Sequence, residues 1–385
     1  ADWNDALDMA ADNGESVAFT CAYAGNLRQL ADCLRLMQDK IACTEIELLE
    51  EISILLEDNT KRYEDIAAKQ ALLKKYTSTC RHDISGKKIQ VSFDSLIENL
   101  THKADWIMEH IRRTEWLQGQ DNEGWFNSYY DNHENAVEGI SEQGVRMMLT
   151  GQVFAIMSGT ATDEQIGQIC KSADHYLYDA AVGGYRLNTD FCELKFDMGR
   201  MFGFAYGEKE NGAVFSHMTV MYANALYKRG FVKEGYKALQ TLADTALDFN
   251  TSKIYPGIPE YFNSEGRGMY HYLTGAASWY MMTMITEVFG VHGEAGDLVI
   301  RPKLLQKQFD ENKTASIKLN FAGKTFEVIF KNTQDLEYGT YKIGTVTCDG
   351  EILRAEGGVQ AVIGIKQIHS MDGNLHQIIA ELVSS

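Results

Sequence analysis

Three short stretches hold the residue types that chemistry on a sugar or an oxyanion needs. The first is Asp2-Trp3-Asn4-Asp5, with Asp8 just beyond, so that three acids and one indole fall within eight residues. An indole stacks on a sugar ring while a carboxyl holds a proton for transfer, and the same residues also fit an acidic surface turn. The second runs from Gly207 to His217 and packs an ammonium, Lys209, two carboxylates, Glu208 and Glu210, and an imidazole around Asn211-Gly212. A solvated helix end accounts for its charges but not for Asn-Gly followed by apolar residues and a histidine. The third, Asn263 to Gly275, gathers Ser264, Arg267, His271, Thr274 and glycine amides within a dozen residues, a donor set suited to an oxyanion. For Arg267 alone, a salt-bridged tight turn is the simpler reading.

Composition narrows what these stretches serve. The chain has 385 residues, 45% of them hydrophobic, enough to bury more than one core. A net charge of −18 argues against nucleic acid or an anionic membrane as the main partner. The seven cysteines are scattered and odd in number, with no Cys-x-x-Cys pair. That indicates neither a disulfide framework nor a zinc site, and it predicts reduced thiols in a cytoplasmic protein without a metal cofactor. No apolar run approaches the roughly 20 residues of a membrane span, and no signal peptide opens the chain.

The elements that must position the three stretches are predicted to be helical up to about residue 290. Ser16 caps a helix with Val17, Tyr23, Leu27, Leu30 and Leu34 at helical spacing, and Thr44 with Glu47, like Thr162 with Gln165, matches a capping box. Further helical stretches carry Trp106, Ile107, Ile111 and Trp116, then Val145, Met148, Val153 and Ile156, then Val220, Ala223, Leu226 and Tyr227. Residues 41–81 read as a helix pair with a solvated face. The aromatics Trp125, Phe126, Tyr129 and Tyr130 suit either core packing or stacking on an oligosaccharide. Beyond Gly296 the pattern changes to alternation, Ile317, Leu319 and Phe321, then Phe326, Val328 and Phe330 across Gly323, with Asp349-Gly350 and Asp372-Gly373 as turns. This predicts a mainly α chain with a C-terminal antiparallel β domain, divided into 1–296 and 297–385.

Taken together and in order, Asp-Trp-Asn-Asp, Lys-Glu-Asn-Gly-Ala before His217, and Tyr-Leu-Thr-Gly-Ala-Ala-Ser-Trp ending at Trp279 resemble the inverting phosphorylases of the cellobiose phosphorylase type, glycoside hydrolase family 94, and the related β-1,3-oligoglucan and cellodextrin phosphorylases. The resemblance implies an (α/α)6 barrel, of which this chain holds the later helices, followed by a small β-sandwich or jelly-roll domain. It places Asp5 as general acid, Trp3, Lys209 and Glu210 on the sugar, and His217, Thr274 and Gly275 on phosphate. Phosphate is already an anionic nucleophile, so the carboxylate that an inverting hydrolase uses to activate water becomes dispensable. Burial or a neighbouring carboxylate, Asp2 or Glu210, is expected to raise the pKa of Asp5.

The expected reaction releases α-glucose 1-phosphate from a β-linked gluco-oligosaccharide and runs in reverse as synthesis, with inorganic phosphate as co-substrate and no cofactor. Phe215-Ser216-His217-Met218 resembles the oligoglucan enzymes most. The family's site also draws an arginine and an aspartate from barrel segments preceding the acid loop. This chain is therefore expected to be the C-terminal part of something longer, inactive and not monodisperse alone, completed by an N-terminal half and with room for a homodimer. An inverting β-glycosidase using Glu210 as base, and a non-catalytic carbohydrate-binding fragment, are the alternatives.

Overall fold

Ser16 accepts a hydrogen bond from the Phe19 amide at 3.1 Å and opens the first long helix, α1 (Val17–Ile41). The computed structural model describes residues 7–57, 63–255, 257–271, 274–353 and 355–385. Helix α1 buries small residues, Ala18, Ala24 and Ala31, together with Cys21, which brings neighbouring backbones close. A Cβ on Gly25 would come to 2.9 Å from Ser158 Cα. Tyr23 and Leu30, predicted to face the core, are 63% and 55% exposed, because the inner face of α1 is the alanine stripe rather than the bulky one.

Helix α2 (Ile66–Thr79) comes next in the chain. Three helices then surround α1 or succeed it: α3 (Phe93–Thr114), α4 (Leu149–Ser158) and α5 (Asp163–Tyr176), the last begun by the predicted capping box of Thr162 and Gln165. Helix α6 (Ser216–Lys228) is buried on almost every side, as a central helix must be, and α7 (Val232–Leu247) packs one apolar face against it. Helix α8 (Gly275–Thr283) runs into a π-helical turn, Met284–Val288.

Two predicted helical regions differ. Glu45–Leu49 pairs antiparallel with Lys88–Ser92, so the Thr44–Glu47 capping box does not form. The period-two apolar residues Ile46 and Leu48, facing Ile89 and Val91, decide for strand. Between these strands the described residues include a 3-10 turn, Glu50–Ile54, and helix α2, which has no fully buried residue. Trp116 and Val145 likewise sit in short hairpins, 116–118 with 124–126 and 139–141 with 144–146. A Cβ on Gly124 would lie 2.2 Å from the Trp116 indole. Trp125, Phe126 and Tyr129 are fully buried, which settles them as core.

The later part is strand-rich. Thr314–Phe321 and Lys324–Lys331 form the predicted hairpin in register, and Asp349 and Gly350 both take positive φ, 51° and 88°, at the turn between Tyr341–Cys348 and Glu351–Leu353. The predicted all-antiparallel arrangement is corrected at one place: Lys324–Lys331 pairs parallel with Leu375–Ser384, Val328 opposite Ile378 and Phe330 opposite Ala380. The long excursion between these strands allows the chain to return in the same direction, as a parallel pair requires. The first strand of this part, Val291–Glu294, pairs with Asp297–Ile300 around Gly296. Helix takes 42% and strand 25%, so the protein is a mixed helix and sheet structure. One apolar core runs from Val17 through α6 to Leu382, and Lys303 stitches the two parts by donating to Glu287 and to the Tyr227 carbonyl, each at 2.8 Å.

Glu138 holds a different junction. Its buried carboxyl accepts hydrogen bonds from the backbone amides of Ser128 and Met148, tying the aromatic strand Tyr129–Tyr130 to the start of α4. Burial pushes its pKa from an ordinary 4.5 up to about 8, against the pull of those amides. A folded value above the unfolded one means that its contribution is complete below about pH 4.5 and is lost as pH rises toward about 8. Glu138→Gln sets an NH2 against a backbone donor and is expected to cost about 1–3 kcal/mol at pH 5. The difference in urea unfolding free energy from the parent should narrow toward pH 8; a gap that stays constant or widens means that the carboxyl is ionised in the fold throughout.

Candidate active site

The turn carrying Lys209 is built by asparagines. Asn188, fully buried, accepts from the Gly212 amide at 2.8 Å and donates to Asn211 Oδ1 at 3.1 Å, while Asn211 Nδ2 donates to the Phe204 carbonyl. Gly212 has φ +77° and lies so close to the Tyr206 ring that a Cβ would approach it to 2.1 Å, so only glycine closes this turn. Lys209 itself takes φ 49°, and its ammonium sits 4.8 Å from the Phe204 ring centroid and 5.3 Å from that of Tyr270. A hydrogen bond with Tyr270 raises the Lys209 pKa above its ordinary value, which holds the charge in place at the surface. Glu210 accepts from the Tyr261 hydroxyl at 2.8 Å.

From Lys209 the site continues through a small sheet. Val214–Phe215 pairs with Tyr261–Phe262, which pairs with Gly268–Met269. Phe215 stacks on Tyr261 with ring centroids 4.6 Å apart, and the Ser216 amide donates to the Glu260 carbonyl. This sheet delivers the chain into α6, whose first turn carries His217. Helix α8 begins beside it: Thr274 is the N-cap, its hydroxyl accepting from the Ala276 amide at 3.3 Å, and Gly275 lies directly against the imidazole. A Cβ on Gly275 would stand 2.7 Å from His217 Cε1 and 2.9 Å from Nδ1. Trp279, one turn along α8, closes the other side of the ring at 5.7 Å between centroids.

Electrostatically, this is where two helix N-termini meet. The N-cap of α6 is Phe215, which offers no side-chain acceptor, and Ser216 Oγ is buried without a hydrogen bond among the described residues. First-turn amides and the positive ends of two helix dipoles favour an anion at such a juncture. Burial holds the His217 pKa below its ordinary value, so the ring is neutral at neutral pH and offers one N–H. Burial, and then the charge of Glu210, push the Glu260 carboxyl up, with Lys209 opposing.

Sequence reasoning named Lys209, Glu210, His217, Thr274 and Gly275, and the structure brings all five into one continuous set of contacts. Trp3 and Asp5 lie outside the described residues. Just beyond them in the chain, the Met9 amide donates to the Met198 carbonyl, Asp8 Oδ1 accepts from the Arg200 amide, and Leu7 and Ala10 pack with Met198, Met201 and Phe202. Residues 7–10 thus abut the segment that leads, through Phe204, to Lys209. Sequence reasoning passed over Tyr261, Tyr270, Glu260 and Arg200. Tyr261 and Tyr270 were legible only as aromatics in a Gly- and Pro-rich loop, and nothing local marks Arg200 as the neighbour of Asp8.

The sequence profile of the Glycosyl hydrolase 94 superfamily, catalytic domain, matches residues 73–290. The chain belongs to that superfamily. The matched range includes the five described site residues and begins after the 1–5 loop. Among relatives of this superfamily member, a cellobionic acid phosphorylase of Neurospora crassa is 27% identical over 237 residues, 58% of this chain and 28% of its own. A solabiose phosphorylase of Paenibacillus borealis is 24% identical over 287 residues, covering 72% and 35%, and a 3-O-beta-D-glucopyranosyl-beta-D-glucuronide phosphorylase of the same organism is 23% identical over 263, covering 66% and 32%. The chain thus spans 28% to 35% of the length of these relatives. A solved family GH92 alpha-mannosidase of Bacteroides thetaiotaomicron is 12% identical, covering 61% of this chain and 24% of that one, with a TM-score of 0.23, too loose a likeness to carry an argument.

The close approach of Gly275 to His217 is testable through a double-mutant cycle. Gly275→Ala is expected to cost about 1–3 kcal/mol in the parent by overpacking the imidazole. In a His217→Ala background the same change should be neutral, or stabilising by up to about 1 kcal/mol through helix propensity. Equal costs in both backgrounds, read from urea unfolding, identify the backbone as the obstacle instead of the ring.

Proposed function

We propose that the protein catalyses inverting phosphorolysis, and the reverse synthesis, of β-linked gluco-oligosaccharides with release of α-glucose 1-phosphate. The observation that carries this reading is the packing of Gly275 against His217 where the first turns of α6 and α8 meet. Phosphate bound there accepts from the imidazole N–H, the Thr274 hydroxyl and helix amides, which together orient it as nucleophile. Asp5 is the general acid for the leaving oxygen, and Trp3, Lys209 and Glu210 hold the sugar. The placement of residues 7–10 beside the Lys209 segment supports this assignment. Support for the reaction class also comes from the relatives, each named as a phosphorylase of a different glycoside. A β-1,3- or β-1,4-linked gluco-oligosaccharide is the favoured substrate.

The same reading treats 1–296 as the later helices of an (α/α)6 barrel and 297–385 as a β-sandwich or jelly-roll domain, in a cytoplasmic enzyme. It assigns the α1 stripe of Tyr23, Leu30 and Met37, exposed by 63%, 55% and 38% at a spacing of seven residues, to contact with an N-terminal half. A homodimer is the alternative use of that stripe. No helix among the described residues is long and apolar enough to cross a membrane.

Two measurements test the roles. In the protein completed by its N-terminal half, Asp5→Asn should lower the rate of phosphorolysis by about 100- to 10,000-fold, as loss of a general acid does. Sulfate, a dianion throughout, probes the anion site without the chemistry. Because burial depresses the His217 pKa and a bound dianion raises it, sulfate affinity should rise as pH falls from about 8 to about 6. His217→Asn should flatten that profile, and a profile that is already flat in the parent removes His217 from the site.

A further inference from the structure

Helices α6 and α8 begin side by side at His217 and Gly275, and their far ends are joined as well. Lys303 donates to the Tyr227 carbonyl near the end of α6 and to Glu287 in the π-helical turn that continues α8, each at 2.8 Å. At this junction lies a cavity of about 130 Å³ lined by Lys228, Thr286, Glu287, His292, Arg301 and Lys303. Three of these six residues are cations, one is an imidazole and one is a carboxylate. The chain as a whole has 36 Lys and Arg against 54 Asp and Glu, so the lining inverts its charge balance.

Neutralising a helix C-terminus explains part of this. The partial negative charge at the end of α6 draws a cation, and Lys303 meets it at the Tyr227 carbonyl while pairing with Glu287. Lys228, Arg301 and His292 are left over. Lys228 is exposed and makes no ion pair among the described residues. Arg301 turns Nε and Nη2 to Gln360 Oε1, and the exposed Glu294 stands 3.6 Å from Nη2 and 3.7 Å from His292 Nε2. His292 Nδ1 is shielded from water and has no hydrogen-bond partner among the described residues. A buried ring nitrogen left unpaired costs free energy that a ligand recovers. Thr286 donates its hydroxyl to the Met282 carbonyl at 2.9 Å, so it offers the cavity an acceptor only.

Size and chemistry narrow the ligand. A volume of about 130 Å³ holds about four waters at about 30 Å³ each, which is room for one tetrahedral oxyanion but not for a sugar beside it. Ammonium and guanidinium groups hold such an anion through charge-assisted hydrogen bonds. One wall is the π-helical turn Met284–Val288, a rare form that recurs at functional sites. We infer that this junction is a second oxyanion site, taking inorganic phosphate on Lys228, Arg301 and His292. It lies about 17 Å along α6 from His217, at about 1.5 Å per residue, so it is separate from the anion site proposed above and does not rest on it. A phosphate bound there bridges α6, through Lys228, to the first strands of the strand-rich part, through His292 and Arg301.

The test titrates the 385-residue chain with inorganic phosphate by calorimetry, at constant ionic strength in sodium chloride, in the parent and in His217→Asn. Saturable binding should persist in His217→Asn. Lys228→Ala in that background should weaken it about ten-fold, Arg301→Gln by a similar factor, and Lys228→Arg should retain most of the affinity. The His292 ring signals in NMR spectra, assigned through their loss in His292→Gln, should move along the same isotherm. α-Glucose 1-phosphate should bind more weakly than phosphate, because the cavity does not admit the hexose. The inference is overturned if His217→Asn abolishes all phosphate binding, if Lys228→Ala and Arg301→Gln both bind as the parent does, or if the His292 signals stay still while phosphate saturates. An ester that binds as tightly as phosphate overturns the assignment to inorganic phosphate. Lys228 is exposed, so its variants should keep the parent's near-ultraviolet circular dichroism; the His292 signals decide for any variant that does not. Identical binding in the parent and His217→Asn, lost in Lys228→Ala, upholds this site and removes the one at His217.

Discussion

The contact between the His217 ring and the Gly275 backbone sets the spacing of everything around it. A side chain at the start of one buried helix meets a residue with no side chain at the start of another, so the two N-termini come as close as an imidazole permits. Any Cβ at position 275 pushes α8 or the ring away. Trp279 and Phe215 then confine the ring from two further directions, and burial keeps it neutral. A neutral ring between helix termini gains affinity for a proton when an anion arrives.

The rest of the site depends on that placement through rigid connections. Phe215 precedes His217 by two residues and stacks on Tyr261, and Tyr261 fixes Glu210. Asn188 and Asn211 then hold the turn from which Lys209 projects. Each link is a stacked ring pair or a hydrogen bond at least partly buried, so the charges of Lys209 and Glu210 are positioned relative to His217 by packed contacts.

Much of this was legible in the sequence, and the failures have identifiable physical causes. Thr162 and Gln165 announced α5 because a capping box is a local device. The hairpin at Gly323 was equally plain from its alternation. The Thr44–Glu47 pattern failed because strand pairing with the distant Lys88–Ser92 decided the conformation of Glu45–Leu49. The inner face of α1 was misread because alanines, which carry little hydrophobic weight, are what allow helices to approach closely. Arg200 beside Asp8, and the parallel pairing of Lys324–Lys331 with Leu375–Ser384, are long-range outcomes that no local pattern encodes.

These differences separate two kinds of structure in one chain. Helix α6 lies in the core, where almost every one of its residues is buried and each substitution is felt by its neighbours, whereas α8 fully buries only Ala276 and Thr283. Helix α2, by contrast, buries nothing fully and is joined to the remainder through its flanking strands and a 3-10 turn. A helix with so little buried area contributes little to global stability and tolerates change in its outward residues. Substitutions in α6 therefore disturb the core, and those in α2 disturb it little. The superfamily match takes in α6 and α8 and begins within α2.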